Sequence, residues 1–171
     1  MDPTVYKNYQ DDEALEFVCP VCAPPGQNEE PEDTANYLDE LVQLRKKFPK
    51  NIIVAHLNIN SMKTKYVMAT DILYQKLVDI FIIGESKLDD SFSDATLNVD
   101  GYRLFRNDRN SRGGGIMAYV SCDIPSRRLK ESEPDGIEAI NVELQIGETK
   151  WLLMANYRPP SEHPKHFENI A

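Results

Sequence analysis

The sequence predicts an α/β fold in which a mixed β-sheet is flanked by helices on one side. A strand, a helix and a second strand follow one another near the start of the main body, and four strands joined by short, turn-rich links come after them. The 171 residues suit one ordinary domain. A composition of 41% hydrophobic and 27% charged residues is typical of a soluble globular protein and not of a disordered or fibrous one.

Three segments are predicted along the chain. Residues 1–22 are an acidic front segment, 23–33 a linker rich in Pro, Gly and acids, and 34–171 the main domain. The first 40 residues contain eleven acids and one lysine, whereas the remainder contains seventeen acids and eighteen Lys or Arg. The net charge of −9 therefore belongs to the front of the chain and does not exclude a nucleic-acid ligand for the domain.

Two helices are predicted from apolar residues that recur every three to four positions. The first begins at Asp33 or Thr34 and ends before Pro49, and its apolar positions are Tyr37, Leu38, Leu41, Leu44 and Phe48. The second lies in "KYVMATDILYQKLVD", and its apolar face is assigned to Val67, Ile72, Leu73 and Leu77.

The strands are predicted from β-branched and apolar runs. The segments "NIIVAHLNIN" and "DIFIIG" flank the second helix, and both read as buried strands. A strand–helix–strand unit of this length implies parallel neighbours. The segments "YRLFR", "GIMAYVS", "IEAINVELQI" and "KWLLMANY" are predicted to pair antiparallel, with a hairpin turn in "QIGETKW".

Polar side chains follow the first two strands where each strand ends. Asn58 closes the first strand, and Glu85 follows the second after Gly84. Because functional groups gather at the ends of parallel strands, we expect these two side chains to lie close together. An amide beside a carboxylate, both oxygen ligands, is a partial magnesium site. A surface glutamate that merely closes a strand remains the alternative.

Four strings, "AHLNINSM", "IFIIGESKLDDSF", "GYRLFRNDRNSRGGGIMAYV" and "LMANYRPP", together resemble the endonuclease/exonuclease/phosphatase superfamily. More narrowly, they resemble the apurinic-endonuclease-like domain of LINE-type (non-LTR) retrotransposon reverse-transcriptase polyproteins. The match runs from about residue 50 to 170. It implies the N-terminal, incomplete half of a two-sheet α/β sandwich, in which the strands build mainly the first sheet and leave an apolar inner face uncovered.

The resemblance also implies the roles of three residues. Asn58 would organise the metal and the phosphate, Glu85 would bind Mg²⁺, and Tyr157 in "NYRPP" would contact the scissile phosphate of DNA. No small-molecule cofactor is implied. The family's Asp-x-Asn motif does not follow Tyr157, and its Ser-Asp-His motif is missing. We therefore expect this chain alone not to nick DNA. A phosphatase of the same superfamily and a non-catalytic interaction fragment are the alternatives.

Arginines at the end of the third strand and in the loop after it are candidate contacts to the DNA backbone, namely Arg106, Arg109 and Arg112. A solvated charged surface explains them equally well. Gly113, Gly114 and Gly115 resemble a tight turn more than a phosphate loop, because no Lys-Ser/Thr follows them. His56 is expected to be a core or edge residue, and His163 and His166 to be solvated.

Three cysteines, Cys19, Cys22 and Cys122, argue against a secreted disulfide framework. The string "EFVCPVCA" resembles the closing end of a PHD-type zinc finger, but zinc needs four ligands, so we do not expect this chain alone to bind it. No signal peptide or membrane-length apolar run occurs, which favours a nuclear or cytoplasmic location. Both ends look like cut edges of a larger polyprotein, and the oligomeric state stays open.

Overall fold

The computed structural model describes residues 34–158 and has a mixed α/β architecture, with two sheets and flanking helices. The predicted fold class is thereby confirmed. The elements are α1 (Thr34–Lys47), β1 (Val54–Asn58), α2 (Met62–Tyr74), β2 (Ile80–Gly84), α3 (Asp94–Leu97), β3 (Tyr102–Asn107), β4 (Ile116–Ser121), β5 (Ser126–Arg128), a 3₁₀ turn (Lys130–Ser132), β6 (Glu138–Ile146) and β7 (Thr149–Tyr157).

The first sheet has four strands in the order β1-β2-β4-β3. β1 and β2 are parallel and joined through α2, as the strand–helix–strand pattern predicts. β4 runs antiparallel to both of its neighbours, which makes the sheet mixed. In the parallel pair Asn58 is in register with Gly84, so the residue after Gly84 leaves the sheet beside the end of β1.

The last three strands form a second sheet, in the order β5-β6-β7. The expectation that the strands build mainly one sheet is therefore wrong. The predicted β6–β7 hairpin is present, with Gly147 and Glu148 between the paired residues Ile146 and Thr149. Because alternate residues of β6 are apolar, the hairpin buries one face against the first sheet and makes a separate layer.

The apolar core consists of two layers, one on each face of the first sheet. Alternate residues of β2 point to opposite layers: Phe81 and Ile83 pack toward the helices, whereas Ile80 packs toward the second sheet. This explains why the β2 run is apolar at every position. From the second sheet, Ile140 and Val142 fill the layer between the sheets, so most of the expected uncovered face is covered.

β1 departs from its prediction as a buried strand, because it lies at the edge of the sheet. Its alternate residues Val54, His56 and Asn58 are exposed on the side that faces the second sheet, and 53% of Val54 is accessible. Trp151 on β7 is also 57% exposed. The resemblance implies an uncovered apolar inner face. In the structure only a part of that face is exposed.

The predicted helix faces are correct in part. Leu38, Leu41 and Val42 of α1 pack on the core, whereas Tyr37, Leu44 and Phe48 are largely exposed. In α2, Ile72 and Leu73 are buried but Val67 is 79% exposed. Five residues at 100° per residue separate Val67 from Ile72 by about 140° around the helix, so the two cannot share one face. No helix in residues 34–158 is both long and apolar enough to cross a membrane.

The backbone that follows β2 is held on both sides. The N–H groups of Ser61 and Met62 donate to the carbonyls of Glu85 and Ser86, at 2.9 and 2.8 Å. On the other side, the Ser86 N–H donates to the Gly115 carbonyl at 3.1 Å. Gly115 has a φ of +84°, and a Cβ there would lie 2.3 Å from the buried Ser86 Oγ. A glycine at this position therefore allows the two segments to approach.

Replacing Gly115 by Ala should lower the free energy of unfolding by about 3 kcal/mol, because a left-handed φ and a steric clash add together. Gly101→Ala is the matched control: its φ is +88°, but no atom lies within 4 Å of its Cβ position. We expect a loss of about 1 kcal/mol there. Urea denaturation measures both, and equal losses would contradict the close contact between Gly115 and Ser86.

Candidate active site at the ends of β1, β2 and β7

Glu85 lies directly after β2 and has a left-handed backbone, with a φ of +53°. A non-glycine residue rarely adopts this conformation, which costs about 1–3 kcal/mol and persists only where the surrounding structure imposes it. The hydrogen bonds on both sides of the segment supply that constraint. Asn60, Ser61 and Lys87 nearby also have positive φ, and residues held in this way cluster at functional sites.

Asn58 ends β1 beside Glu85, as the parallel register requires. The Asn58 side-chain amide is close enough to the Glu85 carboxylate to lower its pKa. The Asn58 Oδ1 accepts the backbone N–H of Asn60 at 3.2 Å. The expected proximity of Asn58 and Glu85 is therefore present in the structure.

Tyr157 ends β7 and brings the second sheet to the same place. Its hydroxyl donates to Glu85 Oε1 at 2.8 Å. Burial, followed by the hydrogen bond and charge of Glu85, raises the pKa of Tyr157 to about 12. The phenol therefore keeps its proton at neutral pH and acts as a donor.

The Glu85 carboxylate is held in its ionised form. The hydrogen bond from Tyr157, and after it the hydrogen bond from Asn58, keep the pKa of Glu85 below its ordinary value, while burial opposes them. The charges of Lys87 and Arg109 act in the same direction as the hydrogen bonds, and Lys87 Nζ lies 4.0 Å from Glu85 Oε2. With 21% of its side chain exposed, the charged Glu85 carboxylate is accessible to solvent.

These donors fit a magnesium ion better than a zinc ion. Within residues 34–158 there is no group of three or more His, Cys, Asp or Glu that could hold a metal. Mg²⁺ needs only one or two carboxylates, since water and substrate phosphates complete its octahedral shell, whereas a structural zinc site takes four protein ligands. The single accessible carboxylate of Glu85 matches that limited requirement.

The prediction that Arg106 contacts nucleic acid needs correction, because the side chain is enclosed by other protein groups. Its side chain is 13% exposed, and its guanidinium is engaged by the carboxylates of Asp94 and Asp108 and by the carbonyls of Asp89 and Phe92. These hydrogen bonds engage the guanidinium N–H groups and connect β3 to the segment around α3. Few N–H donors of Arg106 are therefore accessible to a ligand.

The other two arginines of that prediction are exposed in the loop after β3. Arg109 lies within electrostatic range of Glu85 and Tyr157, since its charge lowers the pKa of both. Arg112 is exposed, and its backbone N–H donates to Asn110 Oδ1 at 2.9 Å. The cysteines Cys19 and Cys22 lie outside the described residues.

Three residues near the site carry no predicted role. Lys87 belongs to the segment of Glu85, and Glu138 is in register with Tyr157 in the β6–β7 ladder. His56 is exposed on β1, and a Cβ on Gly84 would lie 3.7 Å from its Nε2 and 3.7 Å from Tyr157 Cδ2. In the sequence only the interruption of an apolar alternation by Glu138 could have drawn attention to that residue.

No protein-family model matches the chain, and no curated protein matches it. Among solved structures, it is similar to the endonuclease domain of TRAS1, a telomere-specific non-LTR retrotransposon, at 16% identity and a TM-score of 0.49; the match covers 70% of this chain and 51% of that structure. An AP endonuclease from Leishmania major matches at 17% identity and a TM-score of 0.46, with 62% and 39% covered.

A 3′ phosphatase from Neisseria, bound to a product DNA hairpin, matches at 16% identity and a TM-score of 0.42. That match covers 60% of this chain and 40% of the phosphatase. The chain thus spans between about two fifths and one half of the length of the structures that it matches.

Proposed function

We propose that this domain binds Mg²⁺ and the phosphodiester backbone of DNA, as part of a magnesium-dependent endonuclease. One observation carries the proposal: Asn58, Glu85 and Tyr157 converge from the ends of three strands of two sheets, where Tyr157 donates to Glu85 and Asn58 lies close enough to lower the pKa of Glu85. These are the residues to which the resemblance of the sequence motifs assigns the metal and the phosphate. A surface glutamate that only closes a strand has no reason to carry a strained backbone and two side-chain donors.

Each residue has a separate task in this proposal. Glu85 stays ionised and holds the cation, and Asn58 beside it helps to organise the metal and the phosphate. Tyr157 keeps its hydroxyl proton, and the hydroxyl can donate a hydrogen bond to an anionic oxygen when a phosphate enters the site. Bound Mg²⁺ would neutralise the charge that develops on the phosphoryl oxygens during attack by water.

We propose in addition that the 171-residue chain does not complete turnover by itself. Hydrolysis also needs a group that serves the attacking water, and the sequence has no Asp-x-Asn motif after Tyr157 and no Ser-Asp-His motif. Loss of one member from such a constellation typically lowers the rate by several orders of magnitude. In this proposal the chain binds the cation and the phosphate but does not activate the attacking water.

The sequence motifs also support an origin in a LINE-type retrotransposon polyprotein, and hence a nuclear or cytoplasmic location. The zinc-finger-like remnant at Cys19 and Cys22 is part of this proposal. The genomic sequence that follows the codon for Ala171 tests it. An in-frame Asp-x-Asn followed by a reverse transcriptase would support the origin, and an unrelated reading frame would count against it.

Glu85→Gln should weaken Mg²⁺ binding at least about tenfold, because a neutral amide replaces the charged ligand. Isothermal titration with MgCl₂ measures the affinity, and Mn²⁺ electron paramagnetic resonance gives a second reading. Glu143→Gln is the control, since it removes the same charge from an exposed position on β6 that pairs with Arg127 and Lys150. Equal affinities for wild type and Glu85→Gln would contradict the proposed cation site.

Tyr157→Phe should raise the pKa of Glu85 toward its ordinary value of 4.5, because the largest stabilising hydrogen bond is lost. A lowered folded-state pKa stabilises the fold above pH 4.5, and that contribution disappears as pH falls through the folded value. The stability difference between wild type and Tyr157→Phe should therefore shrink on acidification. Carboxyl ¹³C titration of metal-free protein measures the pKa, with exposed Tyr74→Phe as the control.

In a plasmid-nicking assay with Mg²⁺, the chain should leave supercoiled DNA intact at catalytic protein concentrations. The reason is the missing water-activating group described above. Wild type, Glu85→Gln and an EDTA-treated sample should give the same background. Robust nicking by wild type that EDTA and Glu85→Gln both abolish would overturn the proposed inactivity while supporting the assignment of the site.

A further inference from the structure

Glu138 is a charged residue in a nearly enclosed position beside the site. It opens β6, is in register with Tyr157 across the β6–β7 ladder, and has a side chain only 12% exposed. A carboxylate at this depth needs partners to offset the loss of water. It has two: Oε2 accepts the backbone N–H of Gly115, and Oε1 lies 3.1 Å from Arg109 Nη1.

Arg109 is fixed through two nitrogens of its guanidinium. Its Nε donates to the Gly113 carbonyl at 3.1 Å, and its Nη1 pairs with Glu138. Even so, 40% of the side chain is exposed. A planar guanidinium that is held at two nitrogens and accessible to solvent is preorganised for an anion, because little side-chain entropy is lost when it binds.

The loop between β3 and β4 is shaped around this ion pair. Gly114 has a φ of +71°, and a Cβ there would lie 2.6 Å from Glu138 Oε2 and 2.7 Å from Arg109 Nε. Any side chain at this position would displace one member of the pair. The absence of a side chain at Gly114 therefore serves the contact between Glu138 and Arg109.

The same loop is attached to the segment that carries Glu85. The Lys87 N–H donates to the Gly114 carbonyl at 3.0 Å, next to the bond between Ser86 and Gly115. The charge of Arg109 contributes to the low pKa of Glu85. Glu138, Arg109 and Glu85 thus belong to one connected arrangement.

We propose that Glu138 is a positioning residue that holds Arg109 in place to bind a non-bridging oxygen of the DNA phosphodiester beside Glu85. This inference rests on the proposed function, because it assigns a further phosphate-binding group to the same site. The ligand is the sugar–phosphate backbone, which Arg109 would grip without reading base sequence.

The proposal makes an unusual prediction about the sign of a mutational effect. Glu138→Gln removes a negative charge from a surface that meets DNA, so charge alone predicts tighter binding. If Glu138 positions Arg109, binding instead becomes weaker. The glutamine oxygen can still accept the Gly115 N–H, but the NH2 that replaces Oε1 is a donor and cannot accept from a guanidinium.

Fluorescence anisotropy with a labelled DNA duplex in Mg²⁺ buffer tests this sign. We expect Glu138→Gln to weaken binding about tenfold, the size typical of one charge-assisted contact. Arg109→Ala should weaken it at least as much and reduce the slope of log K against log salt by about one. Glu143→Gln, which removes the same charge from exposed β6 surface, should leave binding unchanged or slightly tighter.

The double variant Arg109→Ala/Glu138→Gln separates positioning from a general effect on folding. We expect it to bind DNA no more weakly than Arg109→Ala alone, because Glu138 acts through Arg109. Near-ultraviolet circular dichroism of each variant identifies any that has lost its fold. In that case Arg109→Lys is a milder second probe, because it keeps the positive charge and removes the planar guanidinium.

The outcomes distinguish this inference from the function on which it rests. If wild type binds DNA with a salt dependence but Glu138→Gln binds equally well or more tightly, or if the two single effects add, the positioning role is overturned and the proposed function stands. If wild type shows no salt-dependent binding to DNA in Mg²⁺, both are overturned.

Discussion

The hydrogen bond from Tyr157 to Glu85 joins the two sheets at the point where their strands end. The four-stranded sheet supplies Glu85 from β2, and the β6–β7 hairpin supplies Tyr157 from the other layer. Apolar packing between the sheets sets their separation, because Ile80 of β2 and Ile140 of β6 share one buried cluster. The chemistry of the site therefore depends on the packing of the hairpin, and a change in that packing would separate the donor from the carboxylate.

The sequence was most informative where local chemistry determines structure. The β2 run is apolar at every position because each face of the strand meets a core layer, and that pattern can be read without knowing the rest of the fold. β1 has a similar composition but lies at an edge, so half of its residues are exposed. Position within a sheet is set by distant strands, which a local pattern does not record. The same limit explains why the strands are predicted to build mainly the first sheet, whereas the last three form the second.

Within the site, the strand-end rule identified Asn58 and Glu85, and resemblance was needed for Tyr157. The partners of the charged residues were harder to predict. Arg106 and Arg109 are three residues apart, yet the first is enclosed by Asp94 and Asp108 and the second pairs with Glu138 on another sheet. Which arginine remains accessible is decided by the placement of these carboxylates, and composition alone treats the two arginines as equal.

The balance of charges at the site bears on how it can attract DNA. Glu85 lies beside Lys87 and Glu138 beside Arg109, so two acids and two bases nearly cancel. At physiological salt, charges farther away than about 8 Å are largely screened, so this local balance dominates the potential at the site. A neutral cluster gives a phosphodiester no net attraction. A divalent cation on Glu85 would make the cluster positive, so the metal would serve to recruit the DNA backbone as well as to stabilise charge during cleavage.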